Sequence, residues 1–388
     1  MFSFEAFLPT RIVFGPGKVD ELSKYAKGLG KKALVVTGRR STRESGLLDK
    51  VVDQLKTAGI ESVVYSEITP NPTLKQVDRG AEIAREEGVD LIVGVGGGSA
   101  IDAAKAISIT ACSGGSYWDY TRVGGRKEPR GAFPLIAIPT THGTGTEADP
   151  FMVVTNESTR EKLGQGFGEL TFPKVSIVDP KTMVTLPPDQ TAYTSMDAFY
   201  HSLEAFLNVN AHPYSDVLAI DSMKRIISNL RVAYENGEDL DARTQLAWAS
   251  TEAGITETLT GVIANHALEH GLSGFNDKVV HGLGLCALGP TFLEYIFDHA
   301  YERMAIVGRE VFGVLEYDNK RAAFLMIKKL WEFQELFGCN VPIRELGIKR
   351  EDFEEIAKVV WGMFEALAKV TPGGLTVEDF VRIYEKAY

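Results

Sequence analysis

Asp197 and His201 stand four residues apart in TSMDAFYHSLEAF, and His266 and His270 repeat the spacing in NHALEHGL, with His281 shortly after. On a helix, an i, i+4 spacing places both side chains on one face, one turn apart. A single Asp-x-x-x-His pair is common on helices and carries little information. Its recurrence as His-x-x-x-His on a second helical stretch, followed by a third histidine, points to convergence on one cation. Imidazoles with one carboxylate suit iron(II) or zinc(II) far better than calcium or magnesium, which prefer all-oxygen shells.

A second chemistry is written in glycines. Gly96-Gly97-Gly98-Ser99 follows the apolar run LIVGV and opens the helical pattern SAIDAAKAISI. Glycines let backbone N–H groups approach a phosphate, and a helix N-terminus adds its positive dipole end. Ser99 could cap that helix and donate to a phosphate oxygen. The loop is neither a Walker sequence nor GxGxxG, so by itself it does not name the nucleotide. A threonine-rich loop, Pro139 to Glu147 (PTTHGTGTE), follows the run LIAI and suits a diphosphate and ribose at a strand's carboxyl end. His142 within it reads as a loop histidine. Thr37-Gly38-Arg39-Arg40-Ser41 ends an earlier strand with two guanidiniums and no carboxylate, a charge balance that would welcome a ribose 2′-phosphate. Gly15-Pro16-Gly17 follows the strand-like RIVF but lacks a third glycine at Rossmann spacing and reads as a turn.

These residues need a scaffold, and the first half of the chain supplies one pattern. Short β-branched runs (33–37, 62–65, 91–95, 135–138, 174–178) alternate with amphipathic stretches (47–58, 74–87, 101–109). Continuous apolar strands separated by helices predict a parallel sheet covered on both faces. Near Leu186-Pro187-Pro188 the texture changes, and helical periodicity dominates to Tyr388. The boundary predicts an α/β domain over 1–186 and an all-helical domain over 187–388 that holds every proposed metal ligand.

Composition narrows the partners. A formal net charge of -11 argues against nucleic acid or an anionic membrane. No run approaches the roughly 20 apolar residues of a membrane span. Cys112, Cys286 and Cys339 are too few and too scattered for a disulfide framework. With no secretory pattern in MFSFEAFLPTRIVFG, a cytoplasmic protein is expected.

Taken in order, FLPTRIVFGPGKVDEL, TPNPT (69–73), VGGGSAIDAAKAI, IPTTHGTGTEA, VDPKTMVTLP, MDAFYHSLEAF, HALEHGL and HGLGLCALGP closely resemble the iron-containing (group III) alcohol dehydrogenase family almost end to end. The resemblance implies a Rossmann-like α/β N-terminal domain and an all-α C-terminal domain, an architecture shared with dehydroquinate synthase. It implies Fe2+ held by Asp197, His201, His266 and His281, with Zn2+ chemically able to replace it. His270 corresponds to a family histidine near the nicotinamide and is the candidate proton relay. Gly97, Gly98 and Ser99 would hold the pyrophosphate. Thr140, Thr141, Thr144 and Lys162 would contact the rest of the cofactor. Asn71 would border the substrate, with Phe151, Phe199 and Phe275 as apolar candidates for its pocket.

The chain departs from the family in three places. NAD-preferring members commonly carry Asp where this chain has Gly38, which favours NADP(H) over NAD(H). The loop between His270 and His281 is one residue longer than in several relatives. Thr146 stands where Ser is frequent. The expected activity is reversible oxidation of small primary aliphatic alcohols to aldehydes, by a homodimer. Rival readings are a glycerol-type dehydrogenase, a dehydroquinate synthase-like lyase, or a non-catalytic paralogue. The helical segments show no Lys/Arg cluster for a lyase's anionic substrate, and no expected site residue is missing.

Overall fold

The computed structural model describes residues 3–388, which fall into two compact units. One is Phe7–Thr185. The other is Leu186–Tyr388 together with the described residues ahead of Phe7, where the Phe4 ring stacks on His212 at a centroid distance of 3.9 Å.

The first unit is built on β1 (Arg11–Phe14), β2 (Lys32–Gly38), β3 (Glu61–Ile68), β4 (Leu91–Gly96), β5 (Leu135–Pro139), β6 (Phe151–Asn156), β7 (Glu161–Gly166) and β8 (Val175–Val178). Six of these form one sheet in the order β1-β8-β5-β4-β2-β3, with every pairing parallel. The apolar runs are continuous because both faces are covered. Ala33 and Val35 face a cluster with Val51 and Leu55 of the helix Leu47–Thr57, while Leu34 and Val36 face one with Ala103 and Ile107 of the helix Gly98–Ser113. β2 lies between β3 and β4, so the winding direction reverses between β2 and β4. In such sheets that reversal opens a crevice at the carboxyl edge. Cross-strand pairs Thr37↔Val95 and Gly96↔Pro139 set the ends of β2, β4 and β5 side by side there.

RIVF is the edge strand β1, parallel to β8. The antiparallel hairpin β6–β7 was not anticipated. EKLGQG carries two glycines and no β-branched residue, so propensity hides a strand that pairing with FMVVTN imposes.

The second unit is helical throughout its regular structure. The helix Pro188–Leu207 is buried at every residue from Ser195 onward. Glycines let the helix His281–Tyr295 press against it: a Cβ on Gly282 would meet the Tyr193 carbonyl, and one on Gly289 the Tyr200 hydroxyl. Among the described residues no helix is long and apolar enough to cross a membrane.

Candidate active site

Three helices of the second unit bring the acid and the imidazoles together. Asp197 and His201 come from Pro188–Leu207, His266 and His270 from Ala264–Phe275, and His281 begins His281–Tyr295. Asp197 Oδ1 lies 3.1 Å from His201 Nδ1, 3.4 Å from His281 Nε2 and 3.6 Å from His266 Nε2. A tetrahedral shell with bonds of about 2.1 Å has ligand-to-ligand edges of about 3.4 Å, close to the two Nε2 distances, whereas the 3.1 Å approach of His201 is made by its Nδ1. Ligand atoms of Asp197, His201 and His266 all lie within 4.8 Å of one another.

Tautomers sharpen the picture. The Nδ1 atom of each imidazole meets an oxygen acceptor: the Asp197 carbonyl at 3.0 Å for His201, Glu204 Oε1 at 2.7 Å for His266, and Glu269 Oε2 for His281. Acceptors there put the proton on Nδ1 and leave the Nε2 lone pairs available. Asp197 Oδ1 and His266 Nε2 are buried without a hydrogen-bond partner. Buried polar atoms are seldom left so, and a cation would satisfy both. The donor set therefore fits a divalent transition metal.

Electrostatics agree. Burial pushes the Asp197 carboxyl upward, but the His201 and His281 imidazoles outweigh it and hold the group well below its ordinary range. Burial lowers His266, yet Glu204 and Asp197 raise it to about 10. His201 is also raised, against burial and His266, by Asp197 and Glu257. A pocket that pulls protons onto its imidazoles is short of positive charge, which a metal dication supplies while keeping them neutral.

His270 is buried beside these ligands, with ring centroids 5.4 Å from His281 and 5.2 Å from Phe364. Phe199, offered as pocket lining, is instead core. Its ring is fully buried edge-on to Tyr200 and Phe312, because position 199 turns away from the Asp197 face.

In the first unit, the loop after β4 and the loop after β5 pack on each other. Thr140 N donates to the Gly96 carbonyl at 2.8 Å. A Cβ on Gly97 would stand 3.2 Å from Thr141 Cγ2, and one on Gly98 would stand 2.5 Å from Thr144 Cγ2. Glycine is required by this closeness. Gly97, rather than Ser99, is the N-cap, with no side-chain cap bond. First-turn N–H groups thus face the carboxyl edge that suits phosphate. Gly38 ends the adjacent β2, followed by exposed Arg39 and Arg40. Lys162 of β7 is buried opposite Thr155 of β6, and Thr155 bridges to Thr73, two residues from Asn71. Asn71 has φ 55°, a left-handed value that Asn tolerates better than most residues. Phe151 starts β6 and is half-buried.

Residues 9–180 match the domain family described as iron-containing alcohol dehydrogenase, and residues 191–388 match the Fe-containing alcohol dehydrogenase family C-terminal domain. The chain belongs to the iron-containing alcohol dehydrogenase family. It is 32% identical to NADH-dependent butanol dehydrogenase A of Clostridium acetobutylicum over 403 residues, covering 100% of both chains. It is 33% identical to the NAD-dependent methanol dehydrogenase of Bacillus methanolicus, covering 98% of this chain and 99% of that one. The solved structure of an archaeal halo-thermophilic Red Sea brine pool alcohol dehydrogenase superposes with a TM-score of 0.96 at 34% identity, over 100% of each chain. The reaction class is therefore oxidoreduction at a CH–OH group, and the family implies iron and a nicotinamide cofactor.

In this iron-containing alcohol dehydrogenase family member Glu204, three positions after His201, both supports a helix and orients a ligand. Glu204 Oε2 accepts from Ile263 N at 3.0 Å and His266 N at 3.3 Å, closing the N-terminus of Ala264–Phe275 while Oε1 holds His266. Glu269 and Glu257 were missed. Glu269 stands three residues after His266 and one before His270, but its partner His281 lies on another helix, and Glu257 Oε2 reaches 3.6 Å from His201 Nε2 from Leu240–Thr260. Lys105 was missed too. Fully buried, it donates to Thr146 Oγ1 at 2.7 Å, Asp149 Oδ1 at 3.0 Å and the Phe151 carbonyl at 2.7 Å, tying the threonine loop to the glycine-loop helix. Burial pushes neighbouring Asp102 up to about 6, against the pull of Lys105 and Thr146. The Thr146 hydroxyl in turn donates to Asp102 Oδ1 at 2.7 Å, so the change from Ser keeps its bond.

Proposed function

We propose that this protein is a metal-dependent, NADP(H)-linked alcohol dehydrogenase and aldehyde reductase acting on small primary aliphatic substrates, with Fe2+ held by Asp197, His201, His266 and His281. The carrying observation is the convergence of three imidazoles on Asp197 Oδ1, His281 and His266 through Nε2 and His201 through Nδ1, with each Nδ1 against an oxygen acceptor. Iron(II), or zinc(II) with the same donors, would supply Lewis acidity toward the substrate oxygen, and the nicotinamide would exchange hydride with its carbon. Asp197 anchors the dication by charge, while neutral imidazoles leave it electrophilic. Gly97, Gly98 and Ser99 bind the pyrophosphate through N–H groups, and Thr140, Thr141, Thr144 and Lys162 position the remaining cofactor. Asn71 and Phe151 border the substrate. The reading extends to a cytoplasmic homodimer.

His270 relays the alcohol proton toward solvent. Changing His270 to Ala is expected to lower kcat by about 10²-fold with metal content retained, since positioned proton transfer contributes about that much. Unchanged kcat across the pH range removes His270 from the relay.

NADP(H) preference rests on Gly38, Arg39 and Arg40, although the two relatives named above are described as NADH- and NAD-dependent. Arg guanidiniums pair readily with a 2′-phosphate, whereas a carboxylate at position 38 would repel it. The nearest atom to a Cβ on Gly38 is the Ile68 carbonyl at 3.8 Å, so Gly38→Asp fits without strain. This substitution should shift the NADPH-to-NADH ratio of kcat/KM toward NADH by about 10-fold or more. An unmoved ratio places the 2′-hydroxyl elsewhere.

The overall reading is tested by stripping metal, reloading Fe2+ anaerobically and following NADPH oxidation with butanal. Turnover that depends on the metal supports it. Absence of turnover with metal and NADPH both bound would redirect attention to a lyase or a non-catalytic protein.

A further inference from the structure

We propose that Glu269 is a positioning residue for the metal centre, acting through His281; this rests on the reading that His281 is a ligand. The three imidazoles are not held alike. His201 and His266 stand within helices, and each is flanked by helical backbone on both sides. His281 is the first residue of its helix and follows the non-helical residues 276–280. Its side chain is 22% exposed, against 8% for His201 and 5% for His266. A ring at the start of a helix, partly open to solvent, has rotamers to choose from.

Glu269 removes that choice. Its side chain is fully buried on Ala264–Phe275, one residue before His270, and its Oε2 accepts the hydrogen bond of His281 Nδ1. The carboxylate fixes the proton on Nδ1 and turns Nε2 toward Asp197 Oδ1. The fold makes room for it. Gly284, one turn into the same helix as His281, would place a Cβ 2.9 Å from both Glu269 Cγ and Oε1. A side chain there would push the carboxylate off the imidazole. Glu269 thus does for His281 what Glu204 does for His266, across two helices rather than along one.

The same cluster admits another chemistry: Glu269, His270 and His281 offer ligand atoms within 4.8 Å of one another, as a second cation would require. Sharing His281 between two cations needs both of its nitrogens deprotonated, whereas the Nδ1 hydrogen bond to Glu269 requires a proton there. The geometry favours one cation and a carboxylate that orients its ligand.

The test uses the full-length protein, stripped and reloaded with Co2+ as a spectroscopic stand-in, comparing Glu269→Ala, Glu269→Gln, His281→Ala and the double variant Glu269→Ala/His281→Ala. Affinity is read by chelator competition, geometry by the visible d–d bands, and fold by melting of the metal-free forms. Loss of such an outer partner typically weakens metal binding about 10- to 100-fold. Glu269→Ala is expected to fall in that range with shifted d–d bands, and Glu269→Gln, which keeps an acceptor, to lose less. Within the His281→Ala background, removing Glu269 should change affinity less than 3-fold. Additive losses, unaltered affinity and bands in Glu269→Ala, or a stoichiometry of two Co2+ per chain that drops to one, each overturn the proposal. If His281→Ala itself binds Co2+ as the unaltered protein does, the ligand assignment fails instead.

Discussion

Changing Asp197 to Asn is expected to empty the metal site and reduce turnover by about 10³-fold or more. Asn keeps the shape and one oxygen but loses the charge. Two unit charges about 4 Å apart at an effective permittivity of 20 interact by about 4 kcal/mol, which corresponds to about 10³ in a binding constant. The dication is closer and doubly charged, so this sets a lower bound. The acid also adjoins all three imidazoles, one oxygen lying 3.1 Å from His201 Nδ1, 3.4 Å from His281 Nε2 and 3.6 Å from His266 Nε2. Metal analysis after anaerobic Fe2+ loading, beside butanal turnover, checks both effects. A variant that retains a full equivalent of iron would place the ion elsewhere. Because Asp197 offsets the burial of its imidazole neighbours, the metal-free variant should also be more acid-sensitive. Its imidazoles then lack one of the partners that raise His201 and His266, keeping only Glu257 and Glu204, so protonation stabilises the fold less as pH falls.

The ligand pairs were legible because their information is local. An i, i+4 spacing is a property of one helix, whatever the helix packs against, and both pairs fall on single helices. The parallel sheet was legible for a similar reason, since burial on two faces leaves runs such as LIVGV without polar alternation. What the chain concealed depends on distant contacts. The role of Glu269 follows from Gly284 and from the entry of His281 into its helix, neither of which has a periodic signal. Lys105 sits in SAIDAAKAISI as an ordinary helical lysine, and only Thr146, Asp149 and Phe151, more than forty positions away, turn it into a buried strut. The hairpin β6–β7 was hidden because register with a partner, rather than propensity, makes EKLGQG a strand. Ser99 reads as a cap from its residue type, but Gly97, two residues before it, takes the extended conformation that ends the loop.

The substitution Gly282→Ala is expected to be among the most damaging single methyl additions in the helical unit. A Cβ there would lie 1.9 Å from the Tyr193 carbonyl oxygen, 2.6 Å from its carbon and 3.1 Å from its Cα. All three are backbone atoms of Pro188–Leu207, so no side-chain rotation relieves the overlap. The two helices must separate, and one carries Asp197 and His201 while the other begins with His281. Overpacking typically costs about 1–3 kcal/mol, and a backbone clash belongs at or above the upper end. Replacing Gly by Ala within a helix returns about 1 kcal/mol. The net loss of about 2–4 kcal/mol corresponds to a fall in Tm of roughly 5–15 °C. Gly362→Ala is the matched control: it lies in the helix Phe353–Val370 with nothing within 4 Å of the added methyl, and should hold or raise Tm. Metal affinity separates packing from propensity. Gly282→Ala should release the ion about 10-fold more readily, because separation of the helices withdraws His281 from Asp197, while Gly362→Ala leaves it unchanged. Equal behaviour of the two variants would mean that the close approach at Gly282 does not hold the ligands together.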